Sequence, residues 1–158
     1  MVSQVGSQIV SGSAVRFEGC GILLIGQSGT GKSDLCLRII DAGGKLVVDD
    51  QAQIKRDESR LLAYCPPQLQ GLLEVRGVGI MRFPSLPLVK LDFVIQLQGE
   101  PERLPDEQYW SMFGIALPLY KLCAKHTSAI AVLRQLCGLT HQEIKLLPND
   151  QVLKNVAA

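Results

Sequence analysis

The sequence predicts an α/β fold in which helices flank a mixed sheet. A continuous apolar run at residues 22–25 has the character of a strand that is buried on both faces. It leads into a glycine-rich loop, and a segment with helical spacing follows that loop. Further short apolar segments, separated by turn residues, predict more strands than a regularly alternating α/β fold contains.

Length and composition are those of one globular domain, and we expect residues 1–158 to form it. Hydrophobic residues make up 47% of the chain and the net charge is +1, so the overall charge does not indicate nucleic-acid binding. The sequence has no apolar run of the roughly 18 residues that a membrane span needs. We therefore expect neither a nucleic acid nor a membrane as a partner.

The cysteines and the N-terminal segment indicate a cytoplasmic protein. The cysteines show no CxxC pairing and lie among apolar neighbours, as buried free thiols do in a reducing compartment. They are Cys20, Cys36, Cys65, Cys123 and Cys137. The N-terminal segment has no basic region followed by a long apolar block, so it does not resemble a signal peptide.

The first predicted elements are two strands and a helix. Polar and apolar residues alternate at residues 13–18, which predicts a half-buried strand, and residues 22–25 follow as the buried strand. After the loop, apolar residues with helical spacing predict a helix over residues 32–42. Gly43 and Gly44 end this helix, because glycine is favoured directly after a helix C-terminus.

Three further strands are predicted in the next part of the chain. Residues 46–48 are apolar and form a second buried strand. Two short strands follow at residues 53–56 and 61–64, separated by a polar turn. Residues 72–80 are apolar but interrupted by glycines, so we expect a loop with strand at its edges.

The C-terminal part contains two predicted strands and two predicted helices. Alternating apolar residues predict one continuous strand over residues 89–97 and a short one near residues 115–119. A helix is expected over residues 127–137, ended by Gly138. The four residues that begin at Thr140 have the pattern of a capping box and predict a last short helix.

The loop after residue 25, called the phosphate loop below, carries the strongest functional pattern. It matches G-x-x-x-x-G-K-[ST] without a mismatch and predicts a binding site for ATP. Its residues are Gly26, Gln27, Ser28, Gly29, Thr30, Gly31, Lys32 and Ser33. Glycines let successive N–H groups face phosphate oxygens, and the following helix adds the partial positive charge of its N-terminus. In this pattern Lys32 binds the β- and γ-phosphates, and the Ser33 hydroxyl binds magnesium.

Asp49 and Asp50 form an acidic pair directly after a predicted buried strand. Ligands of open α/β sheets bind at the carboxyl ends of strands, so we expect the pair to lie next to the phosphate loop. One carboxylate could approach magnesium while the other accepts the proton of a substrate hydroxyl, as phosphoryl transfer requires. A turn of two aspartates without catalytic function is the alternative.

Glu74 and Arg76 are two residues apart, so they share a face if the chain is extended there. A carboxylate and a guanidinium near a nucleotide suit metal binding and stabilisation of the charge on a transferring phosphoryl group. Taken alone, an exposed ion pair without catalytic function is the simpler explanation.

Two stretches of the sequence resemble the catalytic domain of HPr kinase/phosphorylase, a bacterial enzyme that phosphorylates a serine of the phosphocarrier HPr and can remove the phosphate. They are GILLIGQSGTGKSDLCLRIIDAGGKLVVDD at residues 21–50 and a variant match at residues 63–80, which includes LEVRGVGI. A segment of the type LEIRGLGI is particular to this family. The resemblance implies a P-loop kinase core of the HPr kinase and phosphoenolpyruvate carboxykinase type, and assembly into hexamers.

The resemblance also implies roles for individual residues. Asp49 matches the acid/base aspartate, which accepts the serine proton during phosphorylation and donates a proton in the reverse reaction. The implied catalytic residues are Asp49, Lys32 and Arg76, and the implied magnesium ligands are Ser33, Glu74 and Asp50. ATP and Mg²⁺ are the implied cofactors, and an HPr-like phosphocarrier protein is the implied partner.

The sequence departs from the family pattern in three respects. We expect the additional N-terminal domain of full-length members to be absent, as in short proteobacterial forms. Ser11 stands where the family has a histidine close to the reacting groups. The glycine-rich loop and arginine that the family has after the position of Ile80 are not recognisable in residues 81–90, which bears on dephosphorylation.

Three hypotheses follow for the function. The first is a serine protein kinase, with or without phosphorylase activity, that acts on HPr or a relative. The second is a phosphotransferase that uses the same core on a small-molecule hydroxyl. The third is a regulator that binds nucleotide without catalysis, which the missing histidine and loop favour.

Overall fold

The computed structural model describes residues 6–150, which form eleven strands, two α-helices and one 3₁₀ helix, Pro67–Leu69. The strands are β1 (Ser7–Phe17), β2 (Cys20–Ile25), β3 (Lys45–Val48), β4 (Gln51–Asp57), β5 (Arg60–Tyr64), β6 (Leu72–Val75), β7 (Gly79–Arg82), β8 (Leu88–Lys90), β9 (Phe93–Leu97), β10 (Gln108–Met112) and β11 (Ile115–Leu122). The α-helices are α1 (Lys32–Asp41) and α2 (Ala129–Thr140). This combination of many strands with few helices confirms the predicted fold class. None of the described helices is long and apolar enough to cross a membrane.

Nine strands form one sheet in the order β10-β11-β9-β2-β1-β4-β5-β8, with β3 paired to β1 beside this path. Strand β9 is parallel to β2 and to β11, whereas the other pairs are antiparallel. Strands β6 and β7 form a separate hairpin. Because parallel neighbours end at the same edge, the carboxyl ends of β2, β9 and β11 lie side by side. The phosphate loop follows β2 at this edge.

The sheet separates two hydrophobic clusters, and β2 contributes to both because its side chains alternate between the two faces. Ile22 and Leu24 pack with apolar residues of α1 and α2, whereas Leu23 packs on the opposite face with residues of β4, β5 and β9. The two α-helices therefore cover one face of the central strands. The opposite face is covered by other strands, with Trp110 of β10 partly buried there.

Most of the predicted elements are confirmed. The strands expected at 13–18, 22–25, 46–48, 53–56 and 61–64 are present as β1 to β5, and the helix expected at 32–42 is α1. Gly43 ends α1 in the left-handed region, with a φ of 100°. The glycine-interrupted segment 72–80 forms β6 and the start of β7, joined by a turn.

The prediction of one strand over residues 89–97 is wrong, because the structure divides it into β8 and β9. Asp92 lies at the break, where its N–H donates to the Gly21 carbonyl (2.8 Å) and its carboxylate accepts from the Gly21 N–H (2.9 Å). These bonds anchor the start of β9 to β2, while β8 pairs with β5. Alternation alone does not reveal that the two halves have different partners.

The C-terminal helix differs from its prediction at both ends. Helix α2 begins at Ala129 and passes through Gly138 to Thr140. A glycine inside a helix costs about 1 kcal/mol relative to alanine, which the burial of Leu133 and Cys137 on the same helix offsets. No helix begins at Thr140, since residues 141–148 lie outside helices and strands. The helix ends instead near Gln142, whose φ is 61°.

Candidate active site

The phosphate loop connects β2 to α1 through a backbone that contains three positive φ angles, 149° at Gly26, 84° at Gly29 and 93° at Gly31. Backbone of this kind lets successive N–H groups converge on an anion. Gly26 is also constrained by its neighbours, because a Cβ there would lie 2.8 Å from the Leu97 carbonyl oxygen at the end of β9. The loop is therefore packed directly against the adjacent strand end.

Helix α1 starts with its N–H groups available to a ligand. Gly31 is the N-cap residue, and no side chain caps the first turn. The first bond of the helix runs from the Leu35 N–H to the Gly31 carbonyl (2.9 Å). The uncapped donors and the partial positive charge of a helix N-terminus form an anion site. The loop and α1 thus fit the phosphate groups that the sequence pattern predicts.

Lys32 is almost completely buried, with 9% of its surface exposed. Its Nζ donates to the carbonyl oxygens of Gly26 (2.7 Å) and Gln27 (3.1 Å). The Thr30 hydroxyl donates to the same Gln27 carbonyl at 2.7 Å. An ammonium group has three N–H donors, so one remains for a phosphate oxygen. Lys32 therefore both closes the phosphate loop and supplies positive charge inside it.

Asp49 lies next to the phosphate loop, as the position of the acidic pair predicted. The Ser33 hydroxyl donates to its two carboxylate oxygens, at 3.1 Å to Oδ1 and 3.0 Å to Oδ2. The hydroxyl of Ser13, on β1, donates to Oδ1 at 2.7 Å. Hydrogen bonds to a carboxylate are stronger than bonds between neutral groups, so the Asp49 side chain is held in one orientation.

Asp50 faces a different environment. Its φ of 69° places it in the left-handed region, and its side chain is exposed. Its backbone is fixed by β1, because its N–H donates to the Ser13 hydroxyl (3.1 Å) and its carbonyl accepts from the Gly12 N–H (2.9 Å). No side chain within residues 6–150 forms a hydrogen bond or ion pair with its carboxylate. The Asp49 carboxylate is thus held by two hydroxyl donors, whereas the Asp50 side chain is open to solvent.

Glu74 and Arg76 do not share a strand face, so the prediction made from an extended chain is wrong. Glu74 lies on β6, which ends at Val75, and Arg76 lies in the following turn. Both side chains are exposed, and in the described part of the chain they form no ion pair with each other. The hairpin is anchored by Leu73, which is buried in the same cluster as Leu35 of α1. This packing places β6 against the helix that starts at the phosphate loop.

Oxygen atoms of Ser33 and Asp49 fit a magnesium ion. Within residues 6–150 no group of three or more His, Cys, Asp and Glu side chains is arranged to hold a metal. Magnesium does not need such a group, because it is commonly bound by one or two carboxylates, water and the phosphates of the substrate. The hydroxyl of Ser33 beside the carboxylate of Asp49 supplies oxygen ligands of this type.

The sequence did not indicate two features of this edge. One is the role of Ser13, which the sequence pattern does not distinguish from the other serines of β1. His126 and Glu100, from the segments after β11 and β9, are 2.9 Å apart. Ala124 lies at the phosphate loop, since a Cβ on Gly31 would be 3.1 Å from its Cβ.

Cys36 lies behind the site on α1 and is completely buried. Burial raises the pKa of its thiol well above the ordinary range, and the Asp49 carboxylate raises this pKa further. The thiol stays protonated at neutral pH, so it does not act as a nucleophile. All five cysteines are free and four of them are buried, which agrees with the predicted free thiols among apolar neighbours, and Cys123 is partly exposed.

The family model and two curated relatives that match this chain all name HPr kinases. The family model for the HPr Serine kinase C-terminal domain matches residues 4–142. HPr kinase/phosphorylase of Cupriavidus metallidurans is 38% identical over 128 residues, which cover 73% of this chain and 40% of that protein. The protein of the same name from Caldicellulosiruptor bescii is 32% identical over 149 residues, covering 85% of this chain and 48% of its own length. The chain thus spans less than half the length of these curated relatives.

The fold is also found in a solved structure. The Hpr(Ser) kinase/phosphatase from Coxiella burnetii matches with a TM-score of 0.73 and 23% sequence identity. The match covers 85% of this chain and 90% of that one. At this level of identity the likeness establishes the fold.

Proposed function

Because the chain belongs to the HPr Serine kinase C-terminal domain family, we propose that it is a kinase that transfers a phosphoryl group from ATP to a serine hydroxyl of an HPr-like phosphocarrier protein. The observation that carries the proposal is the contact of Ser33, in the phosphate loop, with Asp49. It joins a nucleotide-binding pattern to a carboxylate in one site, as transfer to a hydroxyl requires. The proposal treats residues 1–158 as one kinase domain.

The phosphate loop and α1 are proposed to bind the phosphates of ATP. The N–H groups of the loop and of the uncapped helix N-terminus would face the phosphate oxygens. Lys32 would use its remaining N–H donor on the β- and γ-phosphates. We assign to Arg76 the stabilisation of charge on the transferred phosphoryl group. Its exposure, together with the anchoring of the hairpin by Leu73, supports this role.

The proposed magnesium ligands are Ser33, Glu74 and Asp50. The Ser33 hydroxyl lies at the start of α1, Asp50 is exposed beside Asp49, and Glu74 lies on a strand that packs against α1. Bound magnesium would neutralise charge that develops on the phosphate oxygens during transfer. Asp49 contacts Ser33 and is therefore also close to the proposed metal position.

Asp49 is the proposed base. Its carboxylate would accept the proton of the serine hydroxyl in the kinase direction, and the same group would donate a proton if phosphate is removed from phosphoserine. The hydrogen bond from Ser13 supports this assignment, because it orients a carboxylate oxygen from a residue outside the phosphate loop.

The partner, the assembly and the compartment are further parts of the proposal. The partner is an HPr-like phosphocarrier, and the assembly is a hexamer, which a mass measurement in solution would test. The proposed compartment is the cytoplasm. Its support is the set of five free thiols, four of them buried, because free thiols persist in a reducing environment.

Phosphate transfer to a purified HPr-type carrier, measured by intact mass with ATP and Mg²⁺, tests the proposal. The wild type should add one phosphate to a serine, and Lys32→Ala and Asp49→Asn should abolish this addition. Asp34→Asn is the matched control, since Asp34 is an exposed carboxylate on α1 that pairs with Arg38. This variant should transfer phosphate normally.

The same assay separates the other hypotheses. ATP binding without transfer to any carrier would favour a nucleotide-binding regulator, a possibility consistent with Ser11 in place of the family histidine. ATP consumption that depends on a metabolite with a hydroxyl group, and not on the carrier, would favour a small-molecule phosphotransferase. Incubation of the phosphorylated carrier without ATP measures dephosphorylation.

A further inference from the structure

Ser13 is a polar residue in a position that ordinarily holds an apolar one. It lies on β1 with none of its surface exposed, and Ser13 and Lys32 are the two buried polar or charged residues in the described part of the chain. A buried hydroxyl without partners would cost free energy, so the bonds that it forms indicate why it is tolerated.

Both bonds of the Ser13 hydroxyl go to the acidic pair. The hydroxyl donates to Asp49 Oδ1 (2.7 Å) and accepts from the N–H of Asp50 (3.1 Å). One side chain thus fixes the carboxylate of the first aspartate and the backbone of the second. The bond to the Asp50 N–H also stabilises a backbone conformation in the left-handed region, which residues other than glycine adopt less readily.

The other partner of the Asp49 carboxylate is Ser33. In the proposed function the Ser33 hydroxyl also binds magnesium through a lone pair of its oxygen, so its position depends on the bound metal as well as on Asp49. Ser13 has no such second task, because it is buried away from solvent behind the acidic pair. Its hydrogen bond to the carboxylate is therefore independent of nucleotide and metal binding.

We propose that Ser13 is a positioning residue for phosphoryl transfer, which orients the Asp49 carboxylate and fixes the Asp49–Asp50 turn without touching the substrate. The proposal rests on the proposed function for its effect on catalysis. Its structural part, that the hydroxyl holds the acidic pair, stands on the hydrogen bonds alone.

Three variants of Ser13 and one control test the proposal. Ser13→Ala removes the hydroxyl, Ser13→Thr keeps it, and Ser13→Cys replaces it by a group of similar shape that is a weak hydrogen-bond donor. If the extra methyl of threonine prevents folding, the comparison of Ser13→Ala with Ala14→Gly still decides the proposal. Ala14→Gly is the control, because Ala14 is a neighbouring buried residue of β1. Its side chain packs in the hydrophobic cluster that contains Leu23.

Two measurements are made on each variant. The first is kcat and KM for the carrier, together with the dissociation constant of a fluorescent ATP analogue. For Ser13→Ala we expect kcat to fall about 10- to 100-fold, as is usual when a group that orients a functional ligand is removed, with nucleotide affinity unchanged. Ser13→Cys should resemble the alanine variant, and Ser13→Thr should recover most of kcat.

The second measurement is the hydrogen-exchange rate of the Asp50 amide by NMR. It should rise at least about tenfold in Ser13→Ala, because the amide loses its acceptor, and not in Ala14→Gly. An unchanged exchange rate overturns the proposal, as does a kcat that falls no further than in Ala14→Gly. If the wild type transfers no phosphate, the proposed function has failed, and the Asp50 exchange rate still decides whether Ser13 holds the acidic pair.

Discussion

The Ser33 hydroxyl lies 3.0 and 3.1 Å from the two carboxylate oxygens of Asp49. The two residues belong to different elements, since Ser33 is in the first turn of α1 and Asp49 follows β3. Their contact is the point at which the phosphate loop meets the acidic pair. Substitutions on the two sides of this contact should therefore separate nucleotide binding from metal binding and transfer.

Replacement of Gly29 by alanine should weaken nucleotide binding. The φ of Gly29 is 84° and no atom lies within 4 Å of a Cβ placed there, so the cost is backbone strain alone. This strain is about 1–2 kcal/mol, and we expect ATP affinity, measured by calorimetry, to fall about tenfold as the loop relaxes. Gly99→Ala is the control, because Gly99 has equally open surroundings without a positive φ. Equal ATP affinities in the two variants would contradict the prediction.

Glu74→Gln should raise the magnesium concentration that gives half-maximal transfer by about tenfold, since the charge of the ligands sets affinity for hard cations. The free energy of unfolding should remain within about 0.5 kcal/mol of the wild type, because the side chain is exposed. A magnesium titration of the transfer rate measures the first quantity and urea unfolding the second. Glu143→Gln removes an exposed carboxylate after α2 and should change neither.

Asp92→Ala should destabilise the protein without affecting the chemistry. The variant leaves the buried Gly21 N–H without its carboxylate acceptor, which costs about 1–3 kcal/mol. Gly21 is at the start of β2, whereas the phosphate loop follows the other end of this strand. Because the two are separated by the length of β2, kcat per folded molecule should be unchanged. Urea unfolding measures the loss, with the exposed Asp106→Ala as control. A large fall in kcat at full folding would show that the two ends of β2 are coupled.

The protein should lose stability in alkaline solution through its buried thiols. Burial raises the pKa of the Cys36 thiol, so the folded state keeps the proton while the unfolded chain ionises near the usual pKa of about 8.5. Below the pKa of the unfolded chain, the thiol is protonated in both states and the free energy of unfolding does not change with its titration. Above it the unfolded state binds fewer protons, and the free energy of unfolding falls by up to about 1.4 kcal/mol per pH unit.

Urea unfolding at pH 8 and pH 10, with a reductant present, measures this loss. Cys36→Ala should lose less stability between the two pH values than the wild type does. Cys123→Ala, which removes the partly exposed thiol, should lose as much as the wild type. If Cys36→Ala and the wild type have the same pH dependence, the titration of Cys36 does not contribute.

Ser11→His should increase the rate of transfer. Ser11 is exposed and lies two residues from Ser13 on β1, so both face the same side of the strand, on which Asp49 lies. An imidazole there could assist proton transfer, and we expect kcat to rise on the order of tenfold. Ser7→His places the same group on the same face but farther along the strand and should have no effect. A Ser11→His variant no faster than Ser7→His would contradict the prediction.

Local pattern was sufficient where one short segment carries the whole signal. The phosphate loop needs glycines, a lysine and a hydroxyl within eight residues, and the helix after it shows its own apolar spacing, so both were predicted with their positions. The position of Asp49 at a strand end was enough to expect it near the loop, and the contact with Ser33 confirms that proximity.

The sequence by itself therefore determined the fold class, the phosphate loop and the approximate place of the acidic pair. Only the tertiary structure decided that Ser13 contacts Asp49 across 36 positions, that Asp92 divides the alternating segment 89–97, and that Arg76 lies in a turn. The physical reason is that propensity and periodicity act between neighbours in the chain. Hydrogen bonds of a buried hydroxyl or carboxylate are formed with whatever group strand pairing brings near, and that group can be anywhere in the sequence.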